Sequence, residues 1–236
     1  MKAIFLYDIT GFMAAPWLEA GYECWVFDGQ HTEGVNREGN LVKVGMWFYP
    51  DQIQEHAAEI STMVGPEVVF VFGFPECTHL TVAGAKHFAK KAAVNPQFQI
   101  EAMNLAKLIP AVSKACQCDA WALENPVGVM STLWRKPDFM FNPCDFGGYL
   151  PMDDMHPVYP DIYPGRDAYN KGTCIWHGEG FQEPVRRHIP PLHRANPGWA
   201  RCGGKSLRTK NIRSATPRGF AQAVFEANAP HLRDLV

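Results

Sequence analysis

Six consecutive residues in the first third of the chain place the strongest constraint on its fold. Residues 68–73 (Val-Val-Phe-Val-Phe-Gly) are almost all β-branched or aromatic, and none of them carries a charge. A strand of this composition is typical of parallel sheets whose two faces are both covered by helices. The run therefore predicts an α/β fold, and 236 residues are enough for one domain with a substantial core.

Shorter apolar runs before this strand predict a strand–helix–strand unit. Residues 2–7 predict a strand that ends before Asp8, and residues 12–20 predict a helix. Residues 22–27 predict a second strand, which Asp28 follows directly. Because an acid at this place binds ribose hydroxyls in Rossmann-like sheets, the unit predicts the nucleotide-binding half of such a sheet.

Periodicity and turn residues indicate the remaining elements. These are helices at residues 52–63, 97–117 and 217–228, a short strand at 121–123 and an irregular segment at 137–170. The apolar face of the helix at 97–117 is expected to include Ile100. Thr216 is expected to be the N-cap of the last helix.

Two of the predicted strands are followed by residues that suit covalent chemistry. Cys77 lies two residues after Pro75, just past the buried strand, and Glu124 follows the strand at 121–123. If the strands are parallel, both groups lie at the edge where α/β sheets bind ligands. A cysteine alone at this place would more often be a core residue. A thiolate beside a carboxylic acid, however, suits addition to an electron-poor ring whose nitrogen the acid protonates.

The order of these motifs resembles the cytosine carbon-5 DNA methyltransferase family, in the compact branch common in phages and prophages. Residues 74–78 (Phe-Pro-Glu-Cys-Thr) resemble the Pro-Cys nucleophile loop, and residues 124–126 (Glu-Asn-Pro) resemble the Glu-Asn-Val motif. Residues 6–11 stand in the place of the S-adenosylmethionine loop, where Gly11 matches. Residues 213–218 (Arg-Ser-Ala-Thr-Pro-Arg) resemble the late Arg-x-Leu-Thr-Pro-Arg motif.

The resemblance implies a reaction on a cytosine that is flipped out of DNA. Cys77 would attack carbon 6, Glu124 would hold the ring nitrogen and amino edge, and carbon 5 would take the methyl group of S-adenosylmethionine. The other implied site residues are Asp8, Thr10, Gly11, Phe12, Asp28, Phe74 and Pro75 for the cofactor, and Asn125, Pro126, Arg135, Lys171, Arg213 and Arg218 for the substrate. Whether Lys171 or Arg135 contacts the base is left open.

The resemblance also implies a Rossmann-like S-adenosylmethionine-dependent methyltransferase sheet with helices on both faces. We expect a single catalytic domain over residues 1–236, with an insertion or lid loop at 150–168 and a reduced, basic DNA-recognition region at 174–212. That region has 39 residues, fewer than the roughly 50 of a small domain. It therefore predicts short-sequence specificity, a partner protein or a homodimer.

The charge of the chain is unevenly distributed. The net charge is −2, yet residues 186–218 contain nine cations and no acid. These cations are Arg186, Arg187, Arg194, Arg201, Lys205, Arg208, Lys210, Arg213 and Arg218. A cationic stretch rich in Gly and Pro predicts either a surface that contacts DNA phosphates or a solvated loop.

Other features narrow the class of protein. Residues 1–8 are too short an apolar run for a signal peptide, and no run approaches the length of a membrane span, so we expect a cytoplasmic protein (in the host cytoplasm if it is phage-encoded). The seven cysteines are then expected to be reduced thiols. No metal site is expected, since Cys116-x-Cys118 lacks the paired spacing of zinc sites.

Three alternatives stay open beside DNA cytosine-5 methylation. The same fold could serve another nucleotide substrate, or take a larger group from a modified S-adenosylmethionine. The chain could also be a catalytically inactive nucleic-acid-binding homologue. The presence of both Cys77 and Glu124 argues against the inactive form.

Overall fold

The computed structural model describes residues 1–204 and 206–233, so that Lys205 of the basic stretch lies outside the described residues. The strands are β1 (Lys2–Leu6), β2 (Glu23–Glu38), β3 (Leu41–Gly45), β4 (Val68–Gly73), β5 (Trp121–Pro126), β6 (Phe139–Phe141) and β7 (Thr173–His177). The helices are α1 (Ala15–Glu19), α2 (Ile53–Val64), α3 (Phe88–Val94), α4 (Phe98–Ala115), α5 (Met130–Leu133), α6 (Pro197–Arg201), α7 (Leu207–Ser214), α8 (Arg218–Asn228) and α9 (Pro230–Arg233). Short 3-10 helices cover Val82–His87, Pro143–Tyr149 and Gly165–Asp167.

The seven strands form one mixed sheet in the order β3-β2-β1-β4-β5-β7-β6. β1 pairs in parallel with both β2 and β4, and β4 pairs in parallel with β5. β7 pairs antiparallel with β5. The α/β class is therefore confirmed. The first five positions follow the doubly wound order, in which the order of the strands across the sheet reverses between β1 and β4.

The buried strand and the longer helices lie where the sequence predicts them. β4 matches the predicted run at 68–73, and α2, α4 and α8 match the predicted helices to within two residues at each end. Two predicted details of these helices are wrong. The Ile100 side chain is 53% exposed and does not belong to the buried face of α4, and the N-cap of α8 is Pro217 rather than Thr216.

Several elements lie where the sequence predicts none or predicts shorter ones. β2 continues past Asp28, and its second half pairs with β3 through a hairpin in which Val35 lies opposite Val44. β5 continues to Pro126, so the Glu-Asn-Pro motif lies within the strand and not after it. The sequence also does not predict the strand β7 or the helices α6 and α7. The strand β6 lies in the segment that is expected to be irregular.

The chain folds into two compact units. Unit 1 comprises Met1–Ile9, Gly21–Met140 and Thr173–Phe181, and unit 2 comprises Thr10–Ala20, Phe141–Gly172 and Gln182–Val236. In unit 1, α2 packs on α4, and α4 packs on β4 and β5. In unit 2, α8 packs on α1 and on the 3-10 helix Pro143–Tyr149. The single catalytic domain over 1–236 stays a prediction.

Each unit has its own apolar core. In unit 1 the rings of Phe5, Phe70 and Phe72 are fully buried, and the ring of Phe181 stacks on Phe70. In unit 2 the rings of Phe141, Phe146 and Phe220 pack on one another, with Phe141 and Phe220 stacked 4.1 Å apart. In the described part of the chain, no helix combines the length and apolar character needed to cross a membrane.

Candidate functional site

The parallel strands of unit 1 bring four predicted site segments to one edge of the sheet. Leu6, at the end of β1, lies beside Gly73, at the end of β4, and Gly73 lies beside Leu123 of β5. The residues that follow these strand ends therefore lie next to one another. In doubly wound sheets the ligand binds at this edge, where the strand order reverses.

The loop that carries Cys77 has a fixed backbone and a half-buried thiol. The Phe74 amide donates to the Leu6 carbonyl at 3.0 Å, and the amides of Leu80 and Thr81 both donate to the Cys77 carbonyl at 2.9 Å. Pro75 is buried, whereas Cys77 is half-buried. The backbone of Cys77 is thus held in place, while part of the residue remains open to solvent.

A buried hydrogen bond joins this loop to the Glu-Asn-Pro motif. The Asn125 side-chain amide Nδ2 donates to the Pro75 carbonyl at 2.9 Å, and Asn125 is only 1% exposed. The backbone adds two further bonds, from the Val129 amide to the Leu80 carbonyl at 2.8 Å and from the Val82 amide to the Val127 carbonyl at 3.1 Å. The cysteine loop and the segment after β5 therefore form one connected structure.

Gly128 permits this close approach. A Cβ atom at position 128 would lie 2.0 Å from the Leu80 carbonyl oxygen. Since that neighbour is backbone and not a flexible side chain, a larger residue would push the two segments apart. The sequence shows the glycine but not the contact that requires it.

Glu124 lies within β5, where it faces Ile175 across the antiparallel pair with β7. Its Oε1 atom is buried and has no hydrogen-bond partner among the described residues. Burial, followed by the negative charge of Glu124, raises the pKa of the nearby Cys174 thiol to about 11. A half-buried carboxyl with an unused oxygen is suited to bind a donor or share a proton with a ligand.

Two acids lie at the ends of β1 and of the parallel half of β2. Asp8 is 3% exposed, and its carbonyl lies 3.1 Å from His31 Nε2. Asp28 is half-buried and accepts from the Gln30 amide at 2.8 Å. Burial raises the pKa of Asp28 above its ordinary value. The Asp28 carboxylate can therefore accept further hydrogen bonds in a partly desolvated position.

Trp47 is a candidate site residue that the sequence does not reveal. Its ring covers the backbone of Gly29, where a Cβ atom would lie 2.2 Å from the indole, and yet Trp47 is 66% exposed. The Met46 amide also donates to the Asp28 carbonyl at 3.4 Å. An exposed indole that covers the residue after Asp28 is a suitable surface for a nucleoside. Trp47 reaches this place because β3 pairs with the first half of β2, with Gly45 opposite Asp28, and the sequence does not predict β3.

The other predicted cofactor residues belong to unit 2. The Gly11 carbonyl accepts from the Ala14 and Ala15 amides at 3.1 Å each, in the turn that precedes α1. The Thr10 hydroxyl accepts from the Phe12 amide at 3.4 Å. The Phe12 ring meets the His156 ring edge-on. Within their unit, these residues serve the local turn and core.

The three arginines that are predicted to bind substrate form hydrogen bonds with other residues of the chain. Arg135 forms two hydrogen bonds of 2.7 Å with Asp138 and one of 2.8 Å with the His177 carbonyl. Arg218 forms two hydrogen bonds, of 2.7 and 2.6 Å, with Asp154.

Arg213 and Lys171, both in unit 2, also contact protein groups. Arg213 lies over the Trp199 ring at 4.2 Å and donates to the Cys202 and Gly198 carbonyls. The Lys171 amide donates to Asn142 Oδ1 at 3.0 Å. The arginine contacts organise the protein itself, and binding of substrate by these residues stays a prediction.

No protein-family model and no curated protein matches the chain, whereas similar proteins are found among solved structures. A crystal structure of a proposed DNA modification methyltransferase, encoded within an E. coli prophage, is similar to it with a TM-score of 0.41 and 10% identity. The match covers 80% of this chain and 52% of that one, so the chain spans about half the length of its neighbour. A likeness of this degree carries no conclusion about function.

Proposed function

We propose that the chain is an S-adenosylmethionine-dependent DNA cytosine-5 methyltransferase with Cys77 as nucleophile and Glu124 as its acid. The observation that carries the proposal is the buried Asn125–Pro75 hydrogen bond of 2.9 Å. It ties the loop of a half-buried thiol to the strand of a carboxyl group with an unused oxygen. These are the two groups that addition to a pyrimidine ring requires.

The edge of the sheet in unit 1 fits the cofactor. The Asp28 carboxylate suits the ribose hydroxyls, the exposed Trp47 indole suits the flat adenine, and Phe74 and Pro75 follow β4 at the reversal of strand order. When bound, S-adenosylmethionine supplies the methyl group that carbon 5 of the cytosine accepts. The chain's own groups must activate that carbon.

Activation follows from what Cys77 and Glu124 can do. A cytosine flipped out of the duplex presents its ring face to the thiolate and its edge to the carboxyl group. The Cys77 sulfur forms a bond to carbon 6, while Glu124 places a proton at the ring nitrogen, so that electron density moves to carbon 5. After carbon 5 has been substituted, a base removes its proton, the sulfur–carbon bond breaks and the thiolate returns.

Covalent trapping tests the proposal. The full chain is incubated with S-adenosylmethionine and DNA in which 5-fluorocytosine replaces cytosine, and is then denatured. Fluorine at carbon 5 cannot leave as a proton does, so the sulfur–carbon bond persists. We expect a denaturation-resistant adduct on the peptide that contains Cys77, which Cys77→Ala abolishes. The matched variant Cys116→Ala, which replaces another half-buried thiol, should retain the adduct.

Three results would contradict parts of the proposal. An adduct that survives in Cys77→Ala places the nucleophile elsewhere. If neither the wild type nor Cys116→Ala forms an adduct, although DNA is bound, the chain is an inactive nucleic-acid-binding homologue. A trapped product with a group larger than methyl on carbon 5 would instead identify a modified S-adenosylmethionine as the donor.

A further inference from the structure

We propose that unit 2 contains a Zn²⁺ site formed by Cys144, Asp145 and His188. Each of the three side chains offers one potential ligand atom, and these atoms all lie within 4.8 Å of one another. The site uses none of the residues assigned to the methyltransferase reaction. It is therefore a second function of the chain and is tested separately.

The distances within the cluster suit a shared metal ion. His188 Nδ1 lies 3.2 Å from Asp145 Oδ1. With zinc about 2.0 Å from nitrogen or oxygen and about 2.3 Å from sulfur, the edges of a tetrahedral site with one sulfur are roughly 3.3 to 3.5 Å. The Cys144 thiol donates to the Asn170 amide oxygen at 3.2 Å. That oxygen is thus placed to be a fourth ligand when the metal replaces the thiol proton.

The backbone on both sides of His188 holds this residue against the other two ligands. The Ile189 amide donates to the Cys144 carbonyl at 2.9 Å, and the Gly148 amide donates to the Arg187 carbonyl at 2.8 Å. The backbones at Gly148 and Arg187 are too close to leave room for a side chain at position 148, where a Cβ atom would lie 2.6 Å from the Arg187 carbonyl oxygen. The position of His188 is therefore set before any metal binds.

The side chain of Asp145 is also held in place, by a hydrogen bond from the backbone. Its Oδ2 atom accepts from the Asn142 amide at 2.8 Å, which leaves Oδ1 directed at His188. Such an outer contact fixes a ligating carboxylate. Arg186 Nη1 lies 3.6 Å from the same Oδ2 atom and opposes a cation there. A thiolate and a carboxylate together supply two negative charges, which outweigh that single positive one.

The donor set selects the metal. One thiolate, one imidazole and one carboxylate, with room for a fourth ligand, are typical of Zn²⁺ and disfavour Mg²⁺ or Ca²⁺, which prefer oxygen alone. Because zinc binds the thiolate, the thiol proton is released to solvent as the zinc–sulfur bond forms.

The metal would anchor the first part of the basic stretch. His188 follows Arg186 and Arg187 directly, whereas Cys144 and Asp145 belong to the 3-10 helix Pro143–Tyr149. A zinc ion bound by both segments fixes these two cations at one place on unit 2. Removal of zinc should therefore loosen residues 186–189 and leave the sheet of unit 1 unchanged.

Metal analysis of the purified full chain, without a histidine tag, tests the site. We expect one equivalent of zinc in the wild type and almost none in Cys144→Ser or His188→Gln. His188 is 58% exposed at its side chain, so its replacement should leave the fold intact. His193→Gln, a change in the same segment, is the control and should retain zinc. Cobalt substitution should give a sulfur-to-metal absorption band that Cys144→Ser lacks.

Three results would overturn the inference. The first is a wild type that binds no zinc in titrations that load a known zinc protein. The second is zinc that persists in both ligand variants, and the third is cobalt that binds without the sulfur band. In each case the cluster is an ordinary His–Asp contact beside a buried thiol. Because the readout is metal content, it is independent of whether the chain methylates DNA.

Discussion

Asn125 is the residue that tests whether the cysteine loop and the carboxylate strand work as one site. Asn125→Ala leaves the Pro75 carbonyl without its buried donor, which should cost about 1–3 kcal/mol of unfolding free energy. Displacement of the Cys77 loop should slow covalent trapping by on the order of 10- to 100-fold. The trapping rate and urea unfolding measure the two effects.

Asn104→Ala is the matched control for this change. Asn104 also donates its side-chain amide to a proline carbonyl, that of Pro50 at 3.2 Å, and it lies in the same unit. Its loss should lower stability by a similar or smaller amount and leave the trapping rate unchanged. Equal trapping rates in the two variants would show that Asn125 does not contribute to the site.

Asp167 should make the stability of unit 2 depend on pH. It is 1% exposed, accepts from the Gly219 amide at 2.8 Å, and burial raises its pKa to about 6. Because the folded pKa lies above the unfolded one, the stabilisation is complete below about pH 4 and is lost as the pH rises through 6. The loss amounts to about 3 kcal/mol.

Asp167→Asn removes that dependence, since a neutral amide stands in for the protonated acid. Asparagine also tolerates the left-handed φ of 48° at this position. We expect the variant to gain stability relative to the wild type between pH 4 and pH 7.5, as measured by urea unfolding at each pH. A difference that does not change with pH would show that Asp167 stays ionised in the folded chain.

Among single residues, the sequence indicates those that carry reactive groups but not those that shape the site. Cys77 and Glu124 can be recognised in the sequence because each comes soon after an apolar run, and the order of the two motifs resembles that of a known family. Trp47 and Gly128 do not stand out, because their roles depend on contacts with Gly29 and Leu80 that only the folded chain creates.

At the level of elements, Gly128 tests the junction between the segment after β5 and the cysteine loop. Gly128→Ala would place a Cβ atom 2.0 Å from the Leu80 carbonyl oxygen, so the backbone must move. We expect a trapping rate at least tenfold lower, together with a lower midpoint of thermal unfolding. Gly172→Ala is the control, since a Cβ atom there meets nothing within 4 Å. Equal behaviour of the two variants would contradict the role of the junction.

The elements that the sequence predicts are those with a strong apolar pattern. β4 is buried on both faces and α4 has a long apolar face, so their composition and period are sufficient. The second half of β2 is exposed and polar, and α7 is short with only Thr209 and Ile212 buried. Contacts in the folded chain, rather than a local sequence pattern, form the second half of β2 and α7. The same holds for the antiparallel strand β7.

For the whole molecule, the basic stretch should govern the salt dependence of DNA binding. Arg194, Arg208 and Lys210 are exposed, unlike Arg213 and Arg218, which contact protein groups. If the three exposed cations neutralise phosphates, their joint replacement by Gln reduces the slope of log K against log salt by up to about 3. Fluorescence anisotropy with a duplex at several salt concentrations measures it.

A double variant of the β2–β3 hairpin, Arg37→Gln with Lys43→Gln, is the control for this experiment. Both cations lie in unit 1 and form ion pairs there, with Glu23 and Glu38. The control should keep the wild-type slope. If the triple variant also keeps it, the basic stretch is a solvated surface that DNA does not touch.

The most direct test of the proposed function is mass spectrometry of nucleosides from the DNA of cells that express the chain. We expect 5-methyldeoxycytidine above the level of the empty host, and none above that level in cells that express Cys77→Ala in the same amount. A host without cytosine-5 methylation of its own gives the clearest background. If the DNA of cells that express the folded wild type contains only unmodified deoxycytidine, the chain is not a DNA cytosine-5 methyltransferase.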